Sequence, residues 1–151
     1  MDRAREAFER AVEALSHRER TTAELSAWLA ERGFEPAEVE AAVSELVAMG
    51  ELDDERFARR FAEDKRELRG WGPERIREAL AKRGLSGRQI EAAIAADTGD
   101  DLARARELLE RRGDPLVDDR SRARALAFLA RRGYDSETAY EAVRAVERRA
   151  A

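Results

Sequence analysis

Few residues in this chain could carry out chemistry. His17 is the only histidine and there is no cysteine, so a zinc site has at most one of its usual ligands. Asp53 and Asp54 are adjacent carboxylates, but neighbouring residues on a helix do not face each other, and their place before Phe57 favours a helix cap. A Gly-x-x-x-x-Gly-Lys-Ser/Thr phosphate loop and a plausible Ser–His–Asp set are both missing. We therefore predict a non-enzymatic protein with no catalytic residue, metal ligand or cofactor.

Basic side chains in the middle of the chain are the stronger candidates. Residues 1–52 carry six basic and twelve acidic side chains, residues 53–83 carry ten and eight, and residues 84–151 carry thirteen of each. An anionic partner would prefer the middle segment. Interleaved acids such as Glu63 and Glu74 favour a solvated helix face, whereas a turn tryptophan is either a core residue or an exposed anchor. The predicted partner-binding surface consists of Arg59, Arg60, Lys65, Arg66, Arg69, Trp71, Arg75, Arg77, Lys82 and Arg83.

The composition predicts that helices position these residues. Of the 151 residues, 41% are charged, and only 5 Phe, 2 Trp and 2 Tyr are present. Alanine and arginine favour helices, while the β-branched and aromatic residues typical of strands are sparse. We predict an all-α fold. The first residues lack the apolar core of a signal peptide and no apolar run approaches transmembrane length, so we expect a soluble cytoplasmic protein.

A repeat of about fifty residues organises the helices. The pattern Leu-Ala-x-Arg-Gly occurs three times, with its glycine at 33, 84 and 133. Two apolar positions follow each glycine in register: Val39 and Val43, Ile90 and Ile94, Ala139 and Val143. Units of this size bury too little apolar surface to be stable alone, so neighbouring units must pack together. We predict three tandem three-helix units, residues 1–50, 51–97 and 98–151, in an elongated, curved array.

Local signals predict where the helices of a unit begin and end. Leading helices are expected to bury apolar residues at helical spacing, namely Phe8, Val12 and Leu15, then Phe57, Phe61 and Leu68, then Leu102, Leu108 and Leu109. Each second helix ends at the repeat glycine, which can adopt a left-handed conformation. Thr21 with Glu24, and Ser86 with Gln89, have the spacing of capping boxes. Pro36 and Pro73 suit first helical turns, and residues 112–119 are predicted to form a loop.

The middle of the chain resembles the RecX family. Residues 50–62 read Gly-Glu-Leu-Asp-Asp-Glu-Arg-Phe-Ala-Arg-Arg-Phe-Ala, and residues 69–76 read Arg-Gly-Trp-Gly-Pro-Glu-Arg-Ile. These stretches are similar to the family motifs Leu-Asp-Asp-x-x-Phe-Ala and Arg-Gly-x-Gly-Pro-x-x-Ile. Residues 18–34 resemble its opening pattern. The resemblance covers roughly residues 10–96, and the rest of the chain only through the repeat.

The resemblance implies a regulatory protein made of three tandem three-helix units. It implies binding to RecA and to the RecA filament on single-stranded DNA, with inhibition of filament extension, ATP hydrolysis, strand exchange and coprotease activity in DNA repair, recombination and the SOS response. We expect a monomer without membrane contact. The formal net charge of −4 argues for weak direct DNA binding at most.

A helix-turn-helix DNA-binding regulator is the alternative function. Short helices joined by a glycine turn permit it. The third helices, predicted over residues 36–49 and 86–96, carry mostly glutamate and alanine, and would read a DNA groove poorly. A duplex gel shift without RecA would favour this alternative. An enzyme ranks last, because the sequence offers no catalytic constellation.

Overall fold

The computed structural model describes residues 2–150, and within this range the chain forms nine α-helices and no strand. The all-α prediction is confirmed. The helices are α1 (Arg3–His17), α2 (Thr22–Glu31), α3 (Pro36–Ala48), α4 (Asp54–Arg69), α5 (Pro73–Lys82), α6 (Gly87–Ala95), α7 (Asp101–Arg112), α8 (Asp119–Arg132) and α9 (Ser136–Ala150).

The first of two compact units contains the residues up to 58 together with residues 80–90. In this unit α1, α2 and α3 pack against one another. Three of the four buried residues of α1 are alanines, which allow a neighbouring helix to approach closely. The larger core side chains come from α2, α3 and the turns that follow them, and include Leu25, Leu29, Phe34, Val39, Val43, Leu46 and Leu52.

The second compact unit contains residues 59–79 and residues 91 onward. Here α9 packs against both α7 and α8. The buried core consists of Ala105, Leu109, Ala125, Leu129, Tyr134, Ala139, Ala142 and Val143. The division into three units at residues 50 and 97, and the curvature of the array, stay predictions.

The predicted helix ends are confirmed by their hydrogen bonds. The amide of Thr21 donates to Glu24 Oε1 at 2.9 Å, while the Glu24 amide donates to Thr21 Oγ1 at 3.2 Å. Ser86 and Gln89 exchange the equivalent pair at 3.0 and 3.1 Å. Proline begins α3 and α5, and Asp53 caps α4 by accepting from the Arg56 amide at 3.0 Å. The three repeat glycines follow their helices at φ +87°, +86° and +99°.

Two predicted core residues are wrong. The side chain of Val12 is 44% exposed and that of Leu68 is 77% exposed. Alanines, with Phe8, form the buried stripe of α1, and Val12 lies outside it. Leu68 lies in the last turn of α4, where it lines an open groove instead of a core. Periodicity marks a larger apolar residue as core even where small residues form the contact.

In both compact units, the carbonyl of the Arg-Gly turn accepts a hydrogen bond from an equivalent repeat position, although the donor groups differ. In the first, Thr21 Oγ1 donates to the carbonyl of Arg83 at 2.7 Å. In the second, the Gly72 amide donates to the carbonyl of Arg132, also at 2.7 Å. Thr21 and Gly72 occupy equivalent repeat positions, and so do Arg83 and Arg132. The repeat seen in the sequence therefore corresponds to a repeated contact.

Replacement of Thr21 by valine tests this contact. Thr21 is fully buried, and valine keeps its shape but removes both the donor to Arg83 and the acceptor for the Glu24 amide. We expect the free energy of unfolding to fall by about 1–3 kcal/mol. Urea unfolding followed by circular dichroism measures the change. Ser44→Ala on the exposed side of α3 is the control, and equal losses for both variants would contradict the assignment.

Candidate partner-binding surface

The Arg-Gly-Trp-Gly-Pro link between α4 and α5 is fixed to the end of α8. The amide of Gly72 donates to the carbonyl of Arg132 at 2.7 Å, and the amide of Glu74 donates to that of Gly133 at 2.9 Å. The hydroxyl of Tyr134 donates to the carbonyl of Gly70 at 3.1 Å. Burial raises the pKa of Tyr134 to about 12, so this hydroxyl keeps its proton. A Cβ at position 72 would lie 2.6 Å from the Gly133 carbonyl oxygen, which explains the glycine.

The link holds Trp71 in a defined position, half-buried between an aromatic ring and two cations. The Phe61 ring meets it edge-on, with centroids 6.2 Å apart. Arg75 Cζ lies 4.2 Å from the Trp71 ring centroid, and Lys65 Nζ lies 4.9 Å from it. Such cation–π contacts favour a fixed side chain. The structure therefore brings Lys65, Trp71 and Arg75 together, and Trp71 is neither fully buried nor loose.

Arg66 serves the fold of the second unit. Its side chain is only 9% exposed, lies 3.5 Å from Asp97 and makes long contacts of 3.4 and 3.5 Å with the carbonyls of Ala93 and Ile94 at the end of α6. A cation at a helix C-terminus is favourable because carbonyls there lack helical partners. Arg104 donates twice to the same aspartate, at 2.6 and 2.7 Å. These hydrogen bonds from Arg104 hold the pKa of Asp97 at about 2.

Arg77 and Arg83 are also engaged within the protein. Arg77 donates to both oxygens of Glu91 at 2.9 and 3.2 Å, and this hydrogen bonding raises its pKa. In the first unit, Arg83 donates to both oxygens of Glu24 at 2.6 and 3.0 Å. Burial raises the pKa of Glu24, but the hydrogen bonds from Arg83 and the Thr21 amide outweigh it, and the pKa is lowered. These two arginines cross-link helices before any partner binds.

The remaining predicted cations are exposed. Arg59 and Arg60 lie in the middle of α4, Arg69 is its last residue, and Lys82 ends α5 in the first compact unit. Arg60 and Lys82 each have an interaction partner within the protein. Arg69 has an exposed side chain, and its carbonyl accepts from Arg132 at 2.6 Å. In the second unit, Arg59, Arg60, Arg69 and Arg75 are exposed, and Trp71 is half-buried.

Sequence reasoning missed a groove of about 650 Å³ in the second unit. Leu68, Leu108 and Phe128 supply its apolar part. Arginines surround them, and glutamates at 67 and 107 reduce the net charge. The arginines that line it are Arg66, Arg69, Arg104, Arg111, Arg112 and Arg132. Among the groove arginines of α7 and α8, only Arg132 had a signal in the sequence, because it is equivalent to Arg83 in the repeat.

Among residues 2–150, no three His, Cys, Asp or Glu side chains lie close enough together to hold a metal ion. His17 lies exposed at the end of α1. Asp53 and Asp54 do not face each other: Asp53 caps α4, while Asp54 Oδ1 accepts from the amide and hydroxyl of Thr22 at 2.9 and 3.1 Å. Within the same part of the chain, no helix is long and apolar enough to cross a bilayer.

Comparison with protein families matches two stretches of the chain to known domains. The family model for the RecX second three-helix domain matches residues 53–94, and that for the RecX first three-helix domain matches residues 7–46. The chain belongs to the RecX family. All ten predicted contact residues lie within the match to the second RecX domain.

Curated relatives extend the RecX match over most of the chain. The regulatory protein RecX of Xanthomonas oryzae pv. oryzae is 38% identical over 138 residues, which is 90% of this chain and 86% of the relative. The regulatory protein RecX of Leptothrix cholodnii is 37% identical over 136 residues, covering 89% and 85%.

Solved RecX structures share the fold. The crystal structure of RecX from Lactobacillus salivarius superposes with a TM-score of 0.86 at 16% identity, over 97% of both chains. A second crystal structure of regulatory protein RecX gives a TM-score of 0.79 at 23% identity, covering 95% of this chain and 72% of that one. The predicted helical repeat array is confirmed by these RecX folds.

Gly72→Ala tests whether the link depends on close approach to α8. The added Cβ would clash with the Gly133 carbonyl, so we expect the free energy of unfolding to fall by about 1–3 kcal/mol. Gly87→Ala is the matched control, because a Cβ there meets no atom within 4 Å and alanine favours the first turn of α6. Unfolding in urea compares the two. A neutral Gly72→Ala would contradict the packing described here.

Asp97→Asn tests the cluster with Arg66 and Arg104 through its pH dependence. A carboxylate with a folded pKa near 2, below its ordinary 3.8, adds stability above the ordinary pKa and loses it as pH falls toward 2. We expect the wild type to exceed the variant by roughly 2 kcal/mol at neutral pH. That difference in unfolding free energy should shrink between pH 4 and pH 2, and a constant difference would contradict the ion cluster.

Proposed function

We propose that this protein binds RecA and its filament on single-stranded DNA, and restrains filament extension, ATP hydrolysis, strand exchange and coprotease activity. The observation that carries the proposal is membership of the RecX family. The chain matches relatives named regulatory protein RecX over most of their length. On this proposal the protein acts as a cytoplasmic monomer in DNA repair, recombination and the SOS response, without catalysis or a cofactor of its own.

The contact surface we propose is the exposed part of the predicted basic set. Arg59 and Arg69 are exposed on α4, and the half-buried Trp71 ring lies against Arg75. A fixed aromatic residue with neighbouring arginines is typical of the residues that dominate protein interfaces, because little side-chain freedom is lost on binding. Arg66, Arg77 and Arg83 then act indirectly, by holding the helices that present this surface.

The charge on α3 argues against the DNA-binding alternative. Glu40 and Glu45 are exposed on this helix, and exposed Glu35 is its N-cap. Carboxylates on a recognition helix would be repelled by the phosphates that flank a DNA groove. We therefore place direct DNA binding second to RecA binding, as a weak interaction.

RecA-dependent ATP hydrolysis on single-stranded DNA tests the proposal. With RecA from the same organism, we expect inhibition at concentrations of this protein well below that of RecA. Absence of inhibition even at excess protein would overturn the proposal.

Two double variants, each lacking two arginines, test where the protein contacts RecA. Arg59→Gln with Arg69→Gln should raise the half-inhibitory concentration about tenfold, because these exposed arginines are proposed to meet RecA. Arg120→Gln with Arg124→Gln removes the same charge from the exposed face of α8 and should change it less than about twofold. Equal effects of both pairs would contradict the placement on α4, even if the wild type inhibits.

A further inference from the structure

Three arginines gather around one tryptophan in the most acidic part of the chain, and a fourth lies near one of them. Residues 1–52 contain six basic side chains and twelve acidic ones. Three of the six, namely Arg10, Arg20 and Arg32, lie near Trp28 of α2, and Arg18 is close enough to Arg20 to lower its pKa. They belong to the first compact unit and are not part of the surface proposed to bind RecA.

Three of these guanidinium groups converge on the indole ring. Arg32 Cζ lies 3.6 Å from the Trp28 ring centroid, and the Arg32 side chain also donates to the Trp28 carbonyl at 3.1 Å. Arg20 Cζ lies at 5.4 Å and Arg10 Cζ at 5.9 Å from the same centroid. Cation–π attraction helps to hold these like charges together around the ring. We call Trp28 with Arg10, Arg20, Arg32 and the neighbouring Arg18 the Trp28 cluster.

The Trp28 cluster shares its nearest carboxylate with another arginine. Glu24 attracts both Arg18 and Arg20. The nearby carboxylate of Glu24 already accepts from Arg83 with both oxygens.

Arg20 shows the cost of this arrangement. Its Nε is buried and donates to no acceptor. Burial, and then repulsion from Arg18 and Arg32, lower the pKa of Arg20, while attraction by Glu24 opposes them. A buried donor without an acceptor is unfavourable, and an anion bound beside these guanidinium groups would offset their mutual repulsion.

We propose that the Trp28 cluster binds the carboxylates of an acidic protein segment. The planar guanidinium fork matches a carboxylate with two parallel hydrogen bonds. A short acidic segment needs only this local positive charge. A nucleic-acid strand would extend over the surrounding excess of carboxylates, and Arg32 already covers a face of the indole on which a base would stack. The proposal does not depend on RecA binding, since it rests on residues of the first unit alone.

Fluorescence anisotropy of the full chain tests the proposal with two labelled probes. One is a ten-residue peptide of alternating glutamate and glycine, and the other is an oligothymidylate of fifteen nucleotides. Arg18→Gln with Arg32→Gln should weaken peptide binding about tenfold, because two charged donors are lost. Arg120→Gln with Arg124→Gln, which removes equal charge from α8, should weaken it less than about twofold.

A tryptophan signal checks the location. Because the chain has two tryptophans, Trp71→Phe leaves Trp28 as the sole emitter, and the peptide should shift or quench its fluorescence. No peptide binding, equal weakening by both arginine pairs, or an unchanged Trp28 signal would overturn the proposal. Loss of oligothymidylate binding with retained peptide binding in the Arg18/Arg32 variant would also overturn it, in favour of a nucleic-acid site. RecA inhibition is measured separately and can persist in any of these cases.

Discussion

The turn that ends the second helix of a repeat docks on the start of the corresponding helix about fifty residues earlier. Thr21 donates to the Arg83 carbonyl in one compact unit, and Gly72 donates to the Arg132 carbonyl in the other. Helices of nine to sixteen residues cannot hold their positions alone. This contact connects the Arg-Gly turn to the start of the earlier helix. The contact between Gly72 and Arg132 also holds the link that contains Trp71.

Features encoded by a few adjacent residues could be predicted from the sequence. Thr21 with Glu24 and Ser86 with Gln89 form the predicted capping boxes, because their side chains bond to amides three residues away. The repeat glycines end their helices at positive φ as expected. Val12 and Leu68 were placed wrongly because helical periodicity ranks large apolar residues above the alanines that form the contacts of α1.

The pairing of charges could not be predicted, since it depends on groups far apart in the chain. Nothing local distinguishes Arg83, which is bound to Glu24, from Arg69, which faces solvent. Arg66 and Arg77 likewise pair with carboxylates that lie further along the chain, Asp97 after α6 and Glu91 within it. A sequence count made residues 1–52 the least favourable region for an anion, yet folding brings three of its six arginines to Trp28.

Family membership and the exposed arginines near Trp71 support the proposal that the protein binds the RecA filament itself. Co-sedimentation with RecA assembled on single-stranded DNA, with a slowly hydrolysed ATP analogue, tests this most directly. The account predicts that the protein pellets with RecA–DNA filaments and stays in the supernatant with the DNA alone. Equal pelleting with naked DNA, or none with filaments, would contradict it.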